Sequence, residues 1–285
     1  MKIDFGVIAT ILGVVDTVLG IYLFIIVGKG TDGIDGKEKN KKVFSRIIWV
    51  IVTIIIVAVC YKRCSFPIPD PEPPDPDPIS SEPISELSVG DTYKYGNYPQ
   101  GSGGSSPIEW RVLAVEDGKA LLVSERLLDC VKYNDRYISV TWADCSMRKW
   151  MNGTFLNKAF SSSEQSRIAT TTVYNDDNPS YGTDGGSTTE DKIFALSIEE
   201  AERYFTSDEK RQAAPTAYAK SQGSFVSDNY SVSSGENAGW WRLRSPGDKS
   251  TCAAIVKSDG SIESSGRVVD WNNFSVRPAF WLILG

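Results

Sequence analysis

Residues 240–285 read WWRLRSPGDKSTCAAIVKSDGSIESSGRVVDWNNFSVRPAFWLILG. Within them, the apolar run 252–256 stops at Ser258-Asp259-Gly260, and residues 276–284 form a second and longer run. Apolar runs of this length between Gly, Asp and Ser residues read as buried strands of a hairpin-built sheet. Four of the chain's eight tryptophans fall here, Trp240, Trp241, Trp271 and Trp281. Aromatic side chains bring the largest apolar area to a core, so the domain is expected to pack around this stretch. Residues 276–284 are the expected core strand, and residues 270–273 the loop that leads into it.

Upstream, the pattern from Leu87 onward is mixed. Residues 91–95 and 108–115 alternate like strands, and Asp117-Gly118 is a hairpin signal leading into the apolar residues 120–123. Met147, Trp150 and Met151 take helical spacing, and Phe155, Leu156, Ala159 and Phe160 repeat it. Asn152-Gly153 between them is expected to break the helix. Ser161 with Glu164, and Ser197 with Glu200, have capping-box spacing, the second opening a short helix that ends at Tyr204-Phe205. Short helices among hairpins, without strand-helix-strand alternation, predict an α+β class. Trp150, Trp241 and Trp281 are expected in the core, and Arg148, Arg244 and Arg277 as partners of buried carboxylates or carbonyls.

The first quarter of the chain is different. Residues 5–27 are a 23-residue apolar run, about 34 Å long as a helix and enough to cross a bilayer. Residues 43–61 are a second such run. The connecting loop carries Lys29, Lys37, Lys39, Lys41 and Lys42, which places it in the cytoplasm and everything after Arg63 outside. The expectation is a two-span anchor over residues 1–64 in the cell membrane, with an extracellular C-terminal domain. Residues 65–86 hold eight prolines interleaved with acids, a composition that stands as an extended polyproline stalk. The third unit, residues 87–285, is the domain itself.

Composition narrows the chemistry. The 285 residues contain no histidine, which removes the usual general base and every Ser-His-Asp or Cys-His arrangement. Residues 1–64 carry nine Lys/Arg against five Asp/Glu, so the whole-chain charge of −6 leaves −10 for residues 65–285. Nucleic acid is not an expected partner of such a surface. Among the five cysteines, Cys60 and Cys64 lie at the end of the second apolar run, while Cys130, Cys145 and Cys252 lie beyond the stalk. Cys130 and Cys145 bracket a short aromatic loop and are either a disulfide or two thiols. No zinc site follows from this spacing without histidine. The oxygen-rich stretch Asn175-Asp176-Asp177-Asn178, with Asp184, Glu190 and Asp191, lacks calcium-loop spacing and reads as solvated loop.

Five blocks carry a resemblance. They are residues 148–153 (RKWMNG) with 155–160 (FLNKAF), 191–197 (DKIFALS) with Glu200-Ala201, 216–219 (TAYA), 240–247 (WWRLRSPG), and 276–281 (VRPAFW). In this order the region from about residue 87 resembles a bacterial domain family of unknown function with a C-type-lectin-like fold. Formylglycine-generating enzymes and the variable proteins of diversity-generating retroelements are relatives of that fold. The resemblance implies a C-type-lectin-like domain of mixed short helices and hairpins on the transmembrane helical hairpin. Arg242 is inserted relative to the family's Trp-Trp-Leu-Arg, which predicts a bulged strand. Cys252 stands alone where the oxidase relatives use two cysteines, and no Glu-Pro-Asn accompanies Trp271-Asn272-Asn273 as in calcium-dependent lectins.

The polar residues between the late apolar runs remain for recognition: Asp248, Lys249, Arg267, Asp270, Trp271, Asn272 and Asn273. Binding residues usually sit on loops held by a rigid scaffold. The expected function is a membrane-anchored surface protein whose non-catalytic domain binds an extracellular protein or glycan. No catalytic residue, metal ligand or cofactor is expected, and a homo-oligomer is compatible with the sequence. The alternatives are an altered oxidoreductase of the formylglycine-generating type and a purely structural, oligomerising ectodomain.

Overall fold

The computed structural model describes residues 86–101 and 103–285. The two apolar runs and most of the proline stalk, residues 65–85, lie outside these residues. Two sheets form the domain. The first contains β1 (Thr92–Gly101), β2 (Gly104–Glu116), β3 (Lys119–Ser124) and β13 (Ala279–Ile283), in the order β1-β2-β3-β13. The second contains β4 (Asp129–Cys130), β9 (Trp241–Pro246), β10 (Cys252–Val256), β11 (Ile262–Val268) and β12 (Ser275–Val276), in the order β11-β10-β9-β12-β4. Two small ladders flank them: β5 (Thr171–Val173) with β6 (Thr189–Asp191), and β7 (Val226–Ser231) with β8 (Asn237–Gly239).

The expected class is corrected by this build. Strand accounts for 38% of the described residues and helix for 19%, so the domain is mainly β, not α+β. The helices are single turns or little more: α1 (Ser146–Trp150), α2 (Leu156–Ala159), α3 (Ser162–Arg167), α4 (Ile198–Tyr204), α5 (Asp208–Arg211) and α6 (Ala217–Ser221). Both expected capping boxes form, at Ser161 with Glu164 and at Ser197 with Glu200. A cap fixes where a helix starts and says nothing of its length, which is why the caps overstated the helical share. Among the described residues no helix is long and apolar enough to cross a membrane.

Asn152-Gly153 does not break the helix as expected. A π-helical segment, Met151–Phe155, carries the chain from α1 into α2. Asp117-Gly118 does make the β2–β3 turn, with positive φ at both residues (49° and 69°), the backbone of a two-residue type I′ hairpin.

The decisive correction concerns residues 276–284, expected as one strand. Arg277-Pro278 divides them. β12 pairs with β4 and β9 in the second sheet, and β13 pairs with β3 in the first, Phe280 opposite Leu122. Proline has no N–H for a ladder, so the chain leaves one sheet here and enters the other. β13 then alternates: Phe280 is fully buried, while Trp281 faces the opposite side and stays half-buried. Phe280 meets Trp110 edge-on at 4.7 Å between ring centroids and Phe160 at 5.6 Å. The Trp110 indole N–H donates to the Tyr95 carbonyl at 2.7 Å. Residues from both sheets join one continuous core, Trp241, Leu243 and Val256 included.

Candidate functional site

Four of the resembling blocks are spent on holding the fold. Asp191 is buried and accepts hydrogen bonds from Trp142 Nε1 (2.9 Å), Thr189 Oγ1 (2.7 Å), Arg148 Nε (2.7 Å) and Asn152 Nδ2 (3.2 Å). Asn152 also accepts from the backbone N–H groups of Lys192 and Ile193, at 2.8 and 3.1 Å. Arg244 forms a two-pronged pair with Glu200 and donates to the carbonyls of Ala195 and Tyr174, both at 3.0 Å. Arg277 is buried between the rings of Phe205 and Trp241 and donates to the carbonyls of Ser124 and Arg211. The expectation of solvated loop for the oxygen-rich stretch is therefore wrong at two positions. Asp191 is in this clasp, and Asn178 is buried with its amide bonded to the carbonyls of Pro246 and Ser264, at 2.7 and 2.8 Å.

The loops between these blocks touch one another. The β4–α1 loop (131–145) meets the β9–β10 turn (247–251) through Val140 N–H to the Ser250 carbonyl (3.0 Å) and Ser250 Oγ to Ser139 Oγ (2.9 Å). It meets the β11–β12 loop (269–274) through Asn134 N–H to the Val269 carbonyl at 2.9 Å. Val269 in turn donates to the Thr251 carbonyl at 3.0 Å. The β5–β6 loop (174–188) joins through Asn178 and through Gly186, whose φ of +89° and closeness to Thr141 leave no room for a side chain. The result is one loop surface fastened by backbone bonds together with the Asn178 and Ser250 side chains.

Four of the expected recognition residues are open to solvent on it: Asp248, Lys249, Trp271 and Asn272. Trp271 is 49% exposed, and Asp270 is half-buried. Arg267 departs from expectation, since it lies within β11 and is paired with Glu263 at 3.1 Å. Asn273 is half-buried, and its carbonyl accepts the Phe225 N–H at 3.0 Å. Trp271 to Asn273 sit beside Cys130 and Phe225, whereas Asp248 and Lys249 sit beside Ser265 and Cys252. The seven residues thus fall into two groups on one surface. Sequence reasoning missed Tyr137, Ile138 and Tyr181, which are 62%, 44% and 53% exposed on the same loops. Their only signal is large apolar side chains in polar stretches without helical or strand periodicity.

Arg242 supports this surface from below. It is fully buried and donates to the carbonyls of Ala253 (3.1 Å), Arg267 (2.7 Å) and Val268 (2.5 Å), and its guanidinium lies 4.1 Å from the Phe274 ring centre. Both ends of the β11–β12 loop are held this way. The expected bulge is present in the β9–β10 register, where Arg242 to Pro246 spans Ile255 to Ala253. Burial lowers the pKa of Arg242 and Arg277 to about 9, so both remain charged at neutral pH.

Among the described residues the three thiols, Cys130, Cys145 and Cys252, are free. Cys145 caps α1, its sulfur accepting the Arg148 N–H at 3.3 Å, and Cys130 donates to the Asn272 carbonyl at 2.8 Å. Burial pushes Cys145 up to about 12 and Cys130 up to about 11, and it raises Cys252 as well. A reactive cysteine needs a lowered pKa, so this environment makes all three poor nucleophiles. Among the described residues no group of three or more His, Cys, Asp or Glu is arranged to hold a metal ion.

A family profile described as a domain of unknown function, DUF6273, matches residues 117–284. Neither the curated proteins nor the solved structures contain a match to the chain.

Proposed function

The chain belongs to the DUF6273 family, and on that premise we propose that its domain is a non-catalytic ligand-binding module presented at the cell surface. The observation that carries this is the fastened loop surface with Tyr137, Ile138, Tyr181 and Trp271 left exposed. Large apolar side chains on loops that the fold holds rigid are costly to leave in water, and they mark interaction sites. Asp248, Lys249, Asp270 and Asn272 supply polar contacts around them. The partner is an extracellular protein or glycan, since a net charge of −10 over residues 65–285 disfavours nucleic acid. The apolar runs 5–27 and 43–61, with the lysines between them, support attachment to the bilayer with the domain outside.

The test is an array of glycans and extracellular proteins probed with the full chain and with its Asp270→Ala, Asn272→Ala and Trp271→Ala variants. Binding by the full chain that is lost in these variants, while their melting temperatures stay within a few degrees, supports the reading. Normal binding by all three sinks the loop-surface assignment. Orientation is tested separately by labelling intact cells, where Ser80→Cys should react and Gly33→Cys should not.

A further inference from the structure

A second concave site lies away from the seven recognition residues, on the side of β13 that Trp281 faces. It encloses about 240 Å³ between the β5 segment, α4 and β13, with Tyr174, Tyr204, Trp281 and Phe194 among its walls. Trp281 reaches it because β13 alternates and sends Phe280 the other way into the core. The sequence alone had assigned Trp281 to the core. Tyr174 is 65% exposed, and its backbone is fixed by the bond from Arg244, itself locked to Glu200. Among the described residues, no ring or cation stacks on Tyr174 or Trp281, unlike the aromatic residues of the core. Mostly exposed Tyr174 and half-buried Trp281, which also packs on the core, therefore both offer ring surface to a pre-formed pocket.

The polar groups decide what those faces accept. Asp176, Glu199 and Glu200 line the cleft together with Arg203 and Arg244, Glu200 being paired with Arg244, and the one surplus negative charge disfavours an anion. A cation gains little from the other rings, because Arg203 already lies over Tyr204 at 5.3 Å and Arg244 over Phe194 at 5.9 Å. Hydrogen-bonding capacity remains open at the rim. Glu199 is exposed, and Arg203 has only a 3.9 Å contact to Glu116, with both side chains more than half exposed. The remaining chemistry is a neutral ring with an apolar C–H face and a hydroxyl edge. We infer that this cleft binds a single neutral pyranose ring, its C–H face on Trp281 or Tyr174 and its hydroxyls on Glu199 and Arg203. The volume fits one ring, since it falls below the roughly 300–1,000 Å³ of pockets for larger ligands. The inference uses none of the seven recognition residues, although Tyr174 and Asp176 belong to the β5–β6 loop that also joins the loop surface.

Saturation-transfer NMR of the full chain with methyl glucoside, methyl galactoside, methyl mannoside and N-acetylglucosamine tests it. At least one sugar should receive saturation at its ring C–H protons, with a Kd of about 1 mM. Tyr174→Ala, at an exposed position that should not disturb folding, should weaken that binding about tenfold, and Glu199→Gln should weaken it too. Tyr230→Ala, on the exposed β7 strand, should leave it unchanged. The proposal is overturned if none of the four sugars receives saturation at about 10 mM, or if the transfer survives both Tyr174→Ala and Glu199→Gln. A trimer of N-acetylglucosamine binding about a hundredfold tighter than the monomer would also overturn it, by requiring an extended groove.

Discussion

Asp191, the last residue of β6, and Asn272, in the β11–β12 loop, are both polar, and the fold uses them in opposite ways. At Asp191 the side chain carries the bonds, accepting four donors in a buried clasp. In the 269–274 loop the backbone carries them. The Asn272 carbonyl takes the Cys130 thiol, the Asn273 carbonyl takes the Phe225 N–H, and Trp271 N–H bonds to the Val268 carbonyl at 3.3 Å. A link held by its backbone keeps its shape when its side chains change, whereas a link held by one carboxylate does not. The clasp therefore fixes identity at Asp191, and the loop leaves its side chains free for a partner.

The largest test of this contrast is Asp191→Ala. Removing the carboxylate leaves the partly buried Arg148 guanidinium without its counter-ion and strands the Trp142 and Thr189 donors, Asn152 keeping other acceptors. Breaking such a pair from one side costs about 3–5 kcal/mol. Urea unfolding of the full chain should read that loss, and a loss below about 1 kcal/mol would erase the distinction. The second test compares thiols by iodoacetamide labelling, with mass mapping that separates Cys60 and Cys64. Cys145, fully buried in the clasp region, should label at least about a hundredfold more slowly than half-buried Cys252, because it waits for larger opening. Burial raises both pKa values, so labelling of Cys252 should rise with pH through the neutral range as thiolate accumulates. Equal rates would mean that the clasp opens as readily as the loops.

The smallest effect concerns a surface bond. Arg126 holds the Glu236 carboxyl below its usual 4.5. A folded pKa lower than the unfolded one contributes stability above the unfolded value, lost as pH falls through the folded value. Glu236→Gln should therefore cost no more than about 1 kcal/mol at pH 7, given solvent screening, and nothing once the pH has fallen well below the folded pKa. A cost that persists at low pH would place Glu236 with the clasp instead.

Much of this contrast was hidden in the sequence, though some elements were plain. Residues 252–256 read as a strand and are β10, and Asp117-Gly118 read as a hairpin turn and is one. These are local signals, an apolar run between breakers and a turn that needs positive φ. Residues 276–284 read as a single strand because hydrophobicity reports burial and not the identity of the partner. The switch at Arg277-Pro278 depends on pairing with β4 and β3, more than 100 residues upstream. The same limit applied to the surface. Asp248, Lys249, Trp271 and Asn272 were legible as exposed loop, but Arg267 was not separable from them, because its place in β11 is set by Ala253 across the ladder. Tyr137 and Ile138 were passed over because apolar side chains in a loop look like core until their exposure is known.

The order β1-β2-β3-β13 also governs how the domain is made. Its first three strands are neighbours in sequence and form two hairpins early, but β3 then waits with one edge open until residues 279–283 arrive. The chain between them closes a very long loop, and such non-local pairing slows folding and prolongs exposure of an apolar edge. During synthesis that open edge of Lys119–Ser124 is the place where a nascent chain would be captured by a chaperone or by another copy of itself.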